Sequence, residues 1–408
     1  MKRMTLLPPS LASARHPNLN PMWNITGIRN NMRPTYLEVN LDQLKKNIEA
    51  IRVHVGSTKV MPMVKANAYG HGIEGVAPFI EPYVDMLGVA LVEEAIQLRQ
   101  MGIKKPILVA GGTLVEQLPL FLEHDLTLTA SSLDLLLAAD QLARSASTRK
   151  RLTVHLKIDT GMERVGVHHY EAEEFIIRSS AYSHLSIEGI YTHLANSELM
   201  ELDGLPSHVV TGQQQMERFQ EVLYLYEKHS LPIPAIRHVC NSGGILNLPE
   251  AHLDMVRPGV LFYGVYPGRD IPRTIDVKPA LTWKSRVAYS KVTQPGAAVS
   301  YGSLWQVEGS PKRVVTVPCG YADGYFRRMT NQGRVLINNK SYSQVGRICM
   351  DQFMVDAGSD EVTVGDEVTL LGNGIAPEEL ADWAGTNEYE VMTNISARVP
   401  RVFVGGVQ

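Results

Sequence analysis

Residues Lys59–Gly72 read KVMPMVKANAYGHG. An apolar run ends on Lys65, and small residues and glycines follow at once, the composition of a short buried strand running into a tight turn. Working outward, seven further runs of the same kind follow: Met86–Ala90, Pro106–Ala110, Leu126–Ala130, Leu152–Asp159, Ile187–Leu194, Ile236–Cys240 and Met255–Tyr263. Helix-period segments fall between most of them, at Glu93–Met101, Leu114–Glu123, Ser132–Ala143, Glu171–Ser179 and Gln213–Lys228, and Leu41–His54 stands ahead of the first. Strands alternating with helices build a parallel sheet, and eight of them predict an α/β fold of the (β/α)8 TIM-like barrel type rather than an open doubly wound sheet. The eighth run is irregular, because no convincing helix follows it and Tyr263-Gly264-Val265-Tyr266-Pro267 leads straight on.

After about Asp270 the rhythm changes. Leu281–Val292, Arg313–Val317, Gly333–Asn338, Ser343–Val345, Met354–Asp356 and Glu367–Leu371 read as strands, with Pro377–Ala384 and Glu388–Ala397 as helices. The expected organisation is a flexible N-terminal extension over residues 1–33, a barrel over 34–270 and a mainly β C-terminal domain over 271–408. The length of 408 residues agrees, since a barrel of this kind takes about 250 and leaves room for a second domain.

Composition narrows the class of function. Hydrophobic residues at 44% and charged residues at 20% are ordinary for a globular chain. With 39 basic against 42 acidic side chains the net charge is −3, which argues against nucleic acid or an anionic membrane surface as partner. No apolar run approaches the ~20 residues of a membrane span. In the N-terminal extension Pro8 and Pro9 cut Leu6–Leu11, short of the ~7–15 residues of a secretory apolar core. Cys240, Cys319 and Cys349 are too scattered for a disulfide framework or a zinc knuckle, so free thiols, no metal centre and a cytoplasmic location are expected.

In a barrel the C-terminal strand ends carry the chemistry. Lys65 ends the first strand, where desolvation lowers an amine's pKa and suits it to Schiff-base chemistry. Arg164 sits on the loop after the fifth strand, His193 ends the sixth, Asn241-Ser242-Gly243-Gly244 follow the seventh, and Arg257-Pro258-Gly259-Val260 lie on the eighth. Small residues there suit a phosphate held by backbone N–H groups. Taken singly, a strand-end lysine, an Asn-Ser-Gly-Gly turn and a buried arginine or histidine each have an ordinary structural explanation. Together on one barrel rim they suggest pyridoxal 5′-phosphate bound through the lysine.

The stretch Val64–Gly72 resembles the cofactor-lysine signature of alanine racemases. The likeness continues through Asp159–Arg164, Tyr191–His193, Asn241-Ser242, Arg257–Gly264, Ser300-Tyr301-Gly302, Gly320–Gly324, Gly346–Asp351 and Arg398–Arg401, covering about Pro34 to Val404. The resemblance implies a homodimeric enzyme that interconverts L- and D-alanine by two bases, Lys65 and Tyr301, supplying D-alanine for peptidoglycan. A phenol, with its ordinary pKa of ~10, must be tuned to serve as a base near neutrality. It further implies that Tyr69, Asn241, Ser242, Gly259 and Val260 surround the cofactor phosphate, that Arg257 faces the pyridine nitrogen, and that His193 bonds to that arginine. Arg164 and the Met350 N–H would hold the substrate carboxylate, Tyr321 and Asp351 would line the entrance, and Arg327 would support the access corridor. Lys157 matches a lysine that is carbamylated in some members. In the family, Tyr301, Tyr321, Met350 and Asp351 reach the site from the partner subunit.

Two departures stand out. Ala397 occupies the place of a tyrosine common in the family before Arg-Val-Pro, which leaves room for a larger substrate and makes a broader or serine-type racemase the alternative. Glu163 stands where a small or neutral residue is usual, and its side chain is expected to point to solvent. A non-enzymatic pyridoxal-phosphate carrier and a decarboxylase share the barrel; the first lacks a β domain with a tyrosine base, and the second wants an acid where Arg257 stands.

Overall fold

Seven of the eight runs contain a strand and the sixth overlaps one that starts two residues earlier: Lys59–Val60, Leu87–Val89, Ile107–Val109, Thr127–Ala130, Leu152–Asp159, Leu185–Tyr191, Ile236–His238 and Met255–Val256. The structure, a computed structural model, describes residues 33–146, 150–199, 206 and 208–406, so the expectation for the N-terminal extension lies outside the described residues save for Arg33. Strands two to seven pair in parallel in chain order, and the eighth pairs in parallel with the first. Backbone hydrogen bonds close both remaining seams, Val64 N to Gly88 O at 2.8 Å on one side and Arg257 N to Cys240 O at 2.9 Å on the other. The result is a closed eight-stranded barrel. Its longest strand, Leu152–Asp159, is buried almost end to end, as expected of a parallel strand covered on both faces.

Helices Val92–Gln100, Leu118–Glu123, Leu133–Ser145, Ala172–Ser179 and Gly212–Lys228 lie between the strands. Ser132 and Thr211 cap two of them by accepting from Leu135 N and Gln214 N, which satisfies first-turn donors that have no helical partner. The predicted helix Leu114–Glu123 begins as a tight turn at Val115–Gln117 and becomes α-helical only from Leu118, because Pro119 is tolerated only in a first helical turn. After the eighth strand the chain makes only the short turn Val260–Tyr263. The helix ahead of the first strand, Leu41–Val55, packs over that turn and fills the eighth helical place. Its buried Asn47 donates to Phe262 O and Lys278 O, both at 3.0 Å, and accepts from Lys278 N.

Beyond the barrel lies a nine-stranded sheet. In spatial order it runs Tyr289–Thr293, Lys312–Val317, Phe353–Gly358, Lys340–Val345, Arg334–Ile337, Glu367–Leu371, Leu281–Arg286, Tyr36–Asn40 and Arg401–Val404. Two of these strands were not foreseen: Tyr36–Asn40 pairs antiparallel with Leu281–Arg286 and parallel with Arg401–Val404. The single strand expected over Leu281–Val292 is two, because the chain changes neighbours at Val287-Ala288. Val287 N donates to Asp366 O and Ala288 N to Thr316 O, so the two halves join opposite parts of the sheet. Helix Pro377–Ala384 has the expected bounds. The next helix, Glu388–Thr393, stops four residues short of Ala397, since the carbonyls of Ile395, Ser396 and Val399 turn to the Arg401 guanidinium instead.

Candidate active site

Lys65 leaves the first strand into an uncommon backbone. Ala66, Asn67, Ala68 and Tyr69 all have φ between 50° and 54°, a complete left-handed turn of non-glycine residues. Such a conformation costs ~1–2 kcal/mol per residue, so the surroundings must hold it. Ala66 N donates to Glu94 Oε1 at 2.6 Å, Ile73 N to Asn67 Oδ1 at 2.8 Å, and Arg401 Nε to Gly70 O at 3.0 Å. Gly70 packs so tightly on helix Glu388–Thr393 that a Cβ there would meet Met392 O at 2.1 Å. Burial, reinforced by the Arg164 charge and opposed by Glu94, lowers the Lys65 amine below its ordinary pKa, the direction required for a nucleophilic or basic amine.

The mouth of the barrel forms a cavity of about 590 Å³ whose wall includes Lys65, Tyr69, Arg164, His193, Asn241, Ser242, Arg257 and Gly259. Tyr69 stacks on Tyr263 with centroids 4.9 Å apart, and burial raises its pKa, keeping the phenol a donor. Ser242 Oγ accepts from Gly259 N at 2.9 Å and Leu261 N at 3.2 Å, joining the loops after strands seven and eight. A Cβ on Gly259 would lie 2.6 Å from Tyr69 Oη and 3.7 Å from Ser242 Oγ. Two hydroxyls therefore converge on a spot that glycine alone keeps open, and this cradle with a nearby desolvated lysine fits the phosphate and aldehyde ends of pyridoxal 5′-phosphate. Asn241 spends both side-chain groups inside the protein, donating to Leu194 O and accepting from Gly244 N. Val260 is wholly buried and is not part of the cavity wall.

Arg257 is 4% exposed. It donates to Thr192 O at 2.8 Å, Val239 O at 2.9 Å, His238 Nδ1 at 2.9 Å and His193 Nδ1 at 3.3 Å. Desolvation brings its pKa down to about 10, which leaves the guanidinium charged at neutral pH. Burial and the Arg257 charge hold His193 well below its ordinary pKa; being neutral and accepting at Nδ1, His193 carries its proton on Nε2.

Arg164 is aimed by Asp159. The Asp159 carboxylate accepts from the N–H groups of Gly161, Met162, Glu163 and Arg164 at 2.9–3.1 Å. Burial opposes its ionisation, but these donors and nearby Lys157 win and hold the carboxyl below its usual range. Beside it, burial and the charge of Arg257 press the Lys157 amine down to about 7. Glu163 points to solvent as expected, its carboxylate meeting Nε2 of the half-exposed His168 at 2.9 Å on the surface.

The remaining candidates lie elsewhere on the chain. Tyr301, Tyr321, Arg327 and Met350 line a second cavity of about 430 Å³ together with Arg347 and Cys349. Tyr301 is 71% exposed, Met350 52% and Tyr321 40%. No residue is shared between the two walls, so Lys65 and Tyr301 do not face one cavity within a single chain. Asp351 adjoins Met350, but its carboxylate is bound by Arg398 at 2.7 Å and it is absent from the cavity wall. Ala397 is exposed. Sequence reasoning missed Glu94, which accepts from Ala66, Ala90 and Leu91 N–H groups, and Tyr389 and Thr393, which reach the lysine cavity from the C-terminal helix. Glu94 stands at the third position of its helix, where a glutamate that reaches back to preceding N–H groups is a known signal.

Fold and site together define a class: a barrel protein with a desolvated lysine and a phosphate-shaped cradle at its mouth, joined to a β-sheet that presents an exposed tyrosine. Comparison with known proteins goes further. The family model "Alanine racemase, N-terminal domain" matches residues 39–267 and "Alanine racemase, C-terminal domain" matches residues 280–403. Alanine racemase of Carboxydothermus hydrogenoformans is 43% identical over 380 residues, 91% of this chain and 100% of that protein. A structure of alanine racemase from Clostridium difficile 630 superposes with a TM-score of 0.84 at 35% identity, covering 91% of this chain and 96% of that one. The Bacillus anthracis alanine racemase with bound L-Ala-P gives 0.82 at 32% identity, covering 92% and 96%. This chain belongs to the alanine racemase family.

Proposed function

We propose that the chain racemises alanine with pyridoxal 5′-phosphate in the barrel mouth, Lys65 and Tyr301 serving as the two bases, and so supplies D-alanine for peptidoglycan. The observation that carries this reading is the Lys65 amine, desolvated and pressed by the Arg164 charge, in one cavity with the Tyr69–Ser242–Gly259 cradle. When bound, the cofactor withdraws electrons from the substrate and acidifies its Cα–H. Lys65 Nζ moves a proton at Cα on one face and Tyr301 Oη on the other, which inverts the centre. Arg164, aimed by Asp159, and the Met350 N–H hold the substrate carboxylate as a charge-assisted pair. Tyr69 and Ser242 hydroxyls hold the phosphate above Gly259, whose N–H bonds Ser242 Oγ, with Asn241 and the buried Val260 shaping the loops. Arg257 would face the cofactor's ring nitrogen and, because a guanidinium does not surrender its proton, would leave that nitrogen unprotonated and disfavour transamination. Tyr321 and Asp351 border the entrance, with Arg327 behind them.

The two separate walls support a homodimer in which Tyr301, Tyr321, Met350 and Asp351 of each chain complete the partner's lysine cavity. We also propose a division into domains at 34–270 and 271–408, with the strand Tyr36–Asn40 lent to the sheet of the second, and a cytoplasmic location; among the described residues no helix is long and apolar enough to cross a membrane. A second reading, with serine as an additional substrate, rests on Ala397 standing in place of a bulky aromatic; within one chain Ala397 is exposed and borders neither cavity. Chiral analysis after incubation of the purified protein with a panel of L-amino acids tests the function. D-Alanine must appear fastest, and borohydride must abolish both the activity and the visible absorbance. Decarboxylated products, or no turnover at all, would overturn the proposal.

A further inference from the structure

Behind Arg257 runs a file of groups that the mechanism above does not use. Arg257 Nη1 meets His238 Nδ1 at 2.9 Å, His238 Nε2 meets His155 Nδ1 at 2.8 Å, and His155 Nε2 meets Glu188 Oε2 at 3.2 Å. Both imidazoles are fully buried, whereas the Glu188 side chain is 38% exposed. The rings are held in place as well as bonded. Tyr191 stacks flat on His238 with centroids 4.4 Å apart, and its hydroxyl is fixed to Thr129 Oγ1 at 2.8 Å. A Cβ on Gly189 would lie 2.6 Å from His155 Nδ1, so glycine there makes the room that His155 occupies.

The ends of the file determine its protons. A guanidinium only donates and an ionised carboxylate only accepts. His238 must therefore accept at Nδ1 and carry its proton on Nε2; His155 must accept at Nδ1 in turn and donate from Nε2 to Glu188. Protonating His155 would set its Nδ1–H against the His238 Nε2–H at 2.8 Å, and protonating His238 would set its Nδ1–H against the arginine N–H at 2.9 Å. Burial depresses both histidines; at His238 the Arg257 charge adds to it, and at His155 burial prevails against the opposing bond and charge of Glu188. Among the described residues no carboxylate pairs directly with the Arg257 guanidinium.

We propose that Glu188 is a positioning residue for Arg257, acting through His155 and His238 as the remote counter-charge that, with the arginine at the other end, locks the direction of the hydrogen bonds in the file. The role assigned to Arg257 rests on the proposed function, but the direction of the file does not. Without the carboxylate acceptor, His155 is free to move its proton to Nδ1, where it confronts the His238 Nε2–H and pushes that ring from the arginine. A loosened arginine no longer holds the ring nitrogen in one protonation state. Outer partners of this kind typically change activity by ~10–100-fold.

The test uses the holoenzyme with ring-¹⁵N-labelled histidine, and His155→Gln and His238→Gln to assign the two signals. In wild type both rings must read as neutral Nε2–H tautomers throughout the neutral range. In Glu188→Leu the His155 signal must show Nδ1–H, and the ratio of transamination to racemisation must rise at least ~10-fold. Glu188→Gln, whose amide accepts or donates, must fall between them, and it carries the same test should the leucine variant fail to fold. Unchanged tautomers and an unchanged product ratio in both variants overturn the inference, even if thermal stability drops. If the protein racemises no alanine at all, the proposed function falls while the nitrogen spectra still decide the direction of the file.

Discussion

Substituting Gly259 with alanine probes the cradle at its tightest point. The new methyl would sit 2.6 Å from Tyr69 Oη and 3.3 Å from its Cζ. To regain ordinary contact near 3.4 Å the phenol must retreat by about 0.8 Å, yet its ring is pinned by Tyr263 and its backbone belongs to the left-handed turn. Gly259 itself has φ −98° and ψ −104°, outside the regions open to residues with a Cβ. Overpacking of this kind costs ~1–3 kcal/mol of stability. Displacing one donor to a charged phosphate costs a further ~1.5–3 kcal/mol of cofactor binding, a rise of roughly 10–150-fold in Kd. The assay is a fluorescence titration of the cofactor-free protein with pyridoxal 5′-phosphate, repeated with pyridoxal. The penalty must appear with the phosphorylated compound and largely vanish with the other. Gly112→Ala is the control, because Gly112 borders the same cavity with nothing within 4 Å of the added carbon. Phosphate-independent loss, or binding by Gly259→Ala within about threefold of wild type, would refute the placement of the phosphate.

Other substitutions address the remaining assignments. Lys65→Ala and Tyr301→Phe should each lower kcat by at least ~10²-fold, the usual scale of a lost proton-transfer group. Co-expressed as hybrids, the two inactive chains should recover activity; hybrids no better than either parent would contradict sites shared between subunits. Ala397→Tyr should reduce serine turnover relative to alanine by ~10–100-fold, and an unchanged ratio removes the case for a wider pocket. His168 is raised above its ordinary pKa chiefly by its bond to Glu163, so proton NMR should find it titrating above ~6.5 and returning toward that value in Glu163→Gln. A raised histidine stabilises the fold below its unfolded pKa, and the benefit disappears as pH climbs through the folded one. The stability gap between wild type and Glu163→Gln should therefore close on the alkaline side, and a gap that widens there reverses the assignment.

The barrel was legible because buried parallel strands are apolar along their length and helices between them repeat every 3.6 residues, so each of the eight runs carried its own signal. Tyr36–Asn40 and Arg401–Val404 carried none. Each finds its place only through the other and through Leu281–Arg286, pairings more than two hundred residues apart that no local pattern reports. The missing eighth helix was visible as a gap and Leu41–His54 was read as a helix, but that the one fills the other was not legible, since Asn47 reads as an ordinary polar residue until its partners at Phe262 and Lys278 are known. Among site residues, those on strand ends were accessible by position. Glu94 and Tyr389 were not, because they reach the lysine from a neighbouring helix and from the far end of the chain. Glu188 was hidden for another reason: its significance depends on proton direction, which has no counterpart in spacing or composition.

The left-handed turn after Lys65 has a consequence for how the molecule is made. It sits near the start of the chain, but its tight packing on Met392 and its hydrogen bond to Arg401 come from residues more than three hundred positions later. A growing polypeptide emerging from the ribosome therefore holds its reactive amine in an unfinished setting until the last strand is released. Readiness for chemistry arrives only with Arg401, so a product that stops just before it should contain every barrel strand and still present Lys65 wrongly.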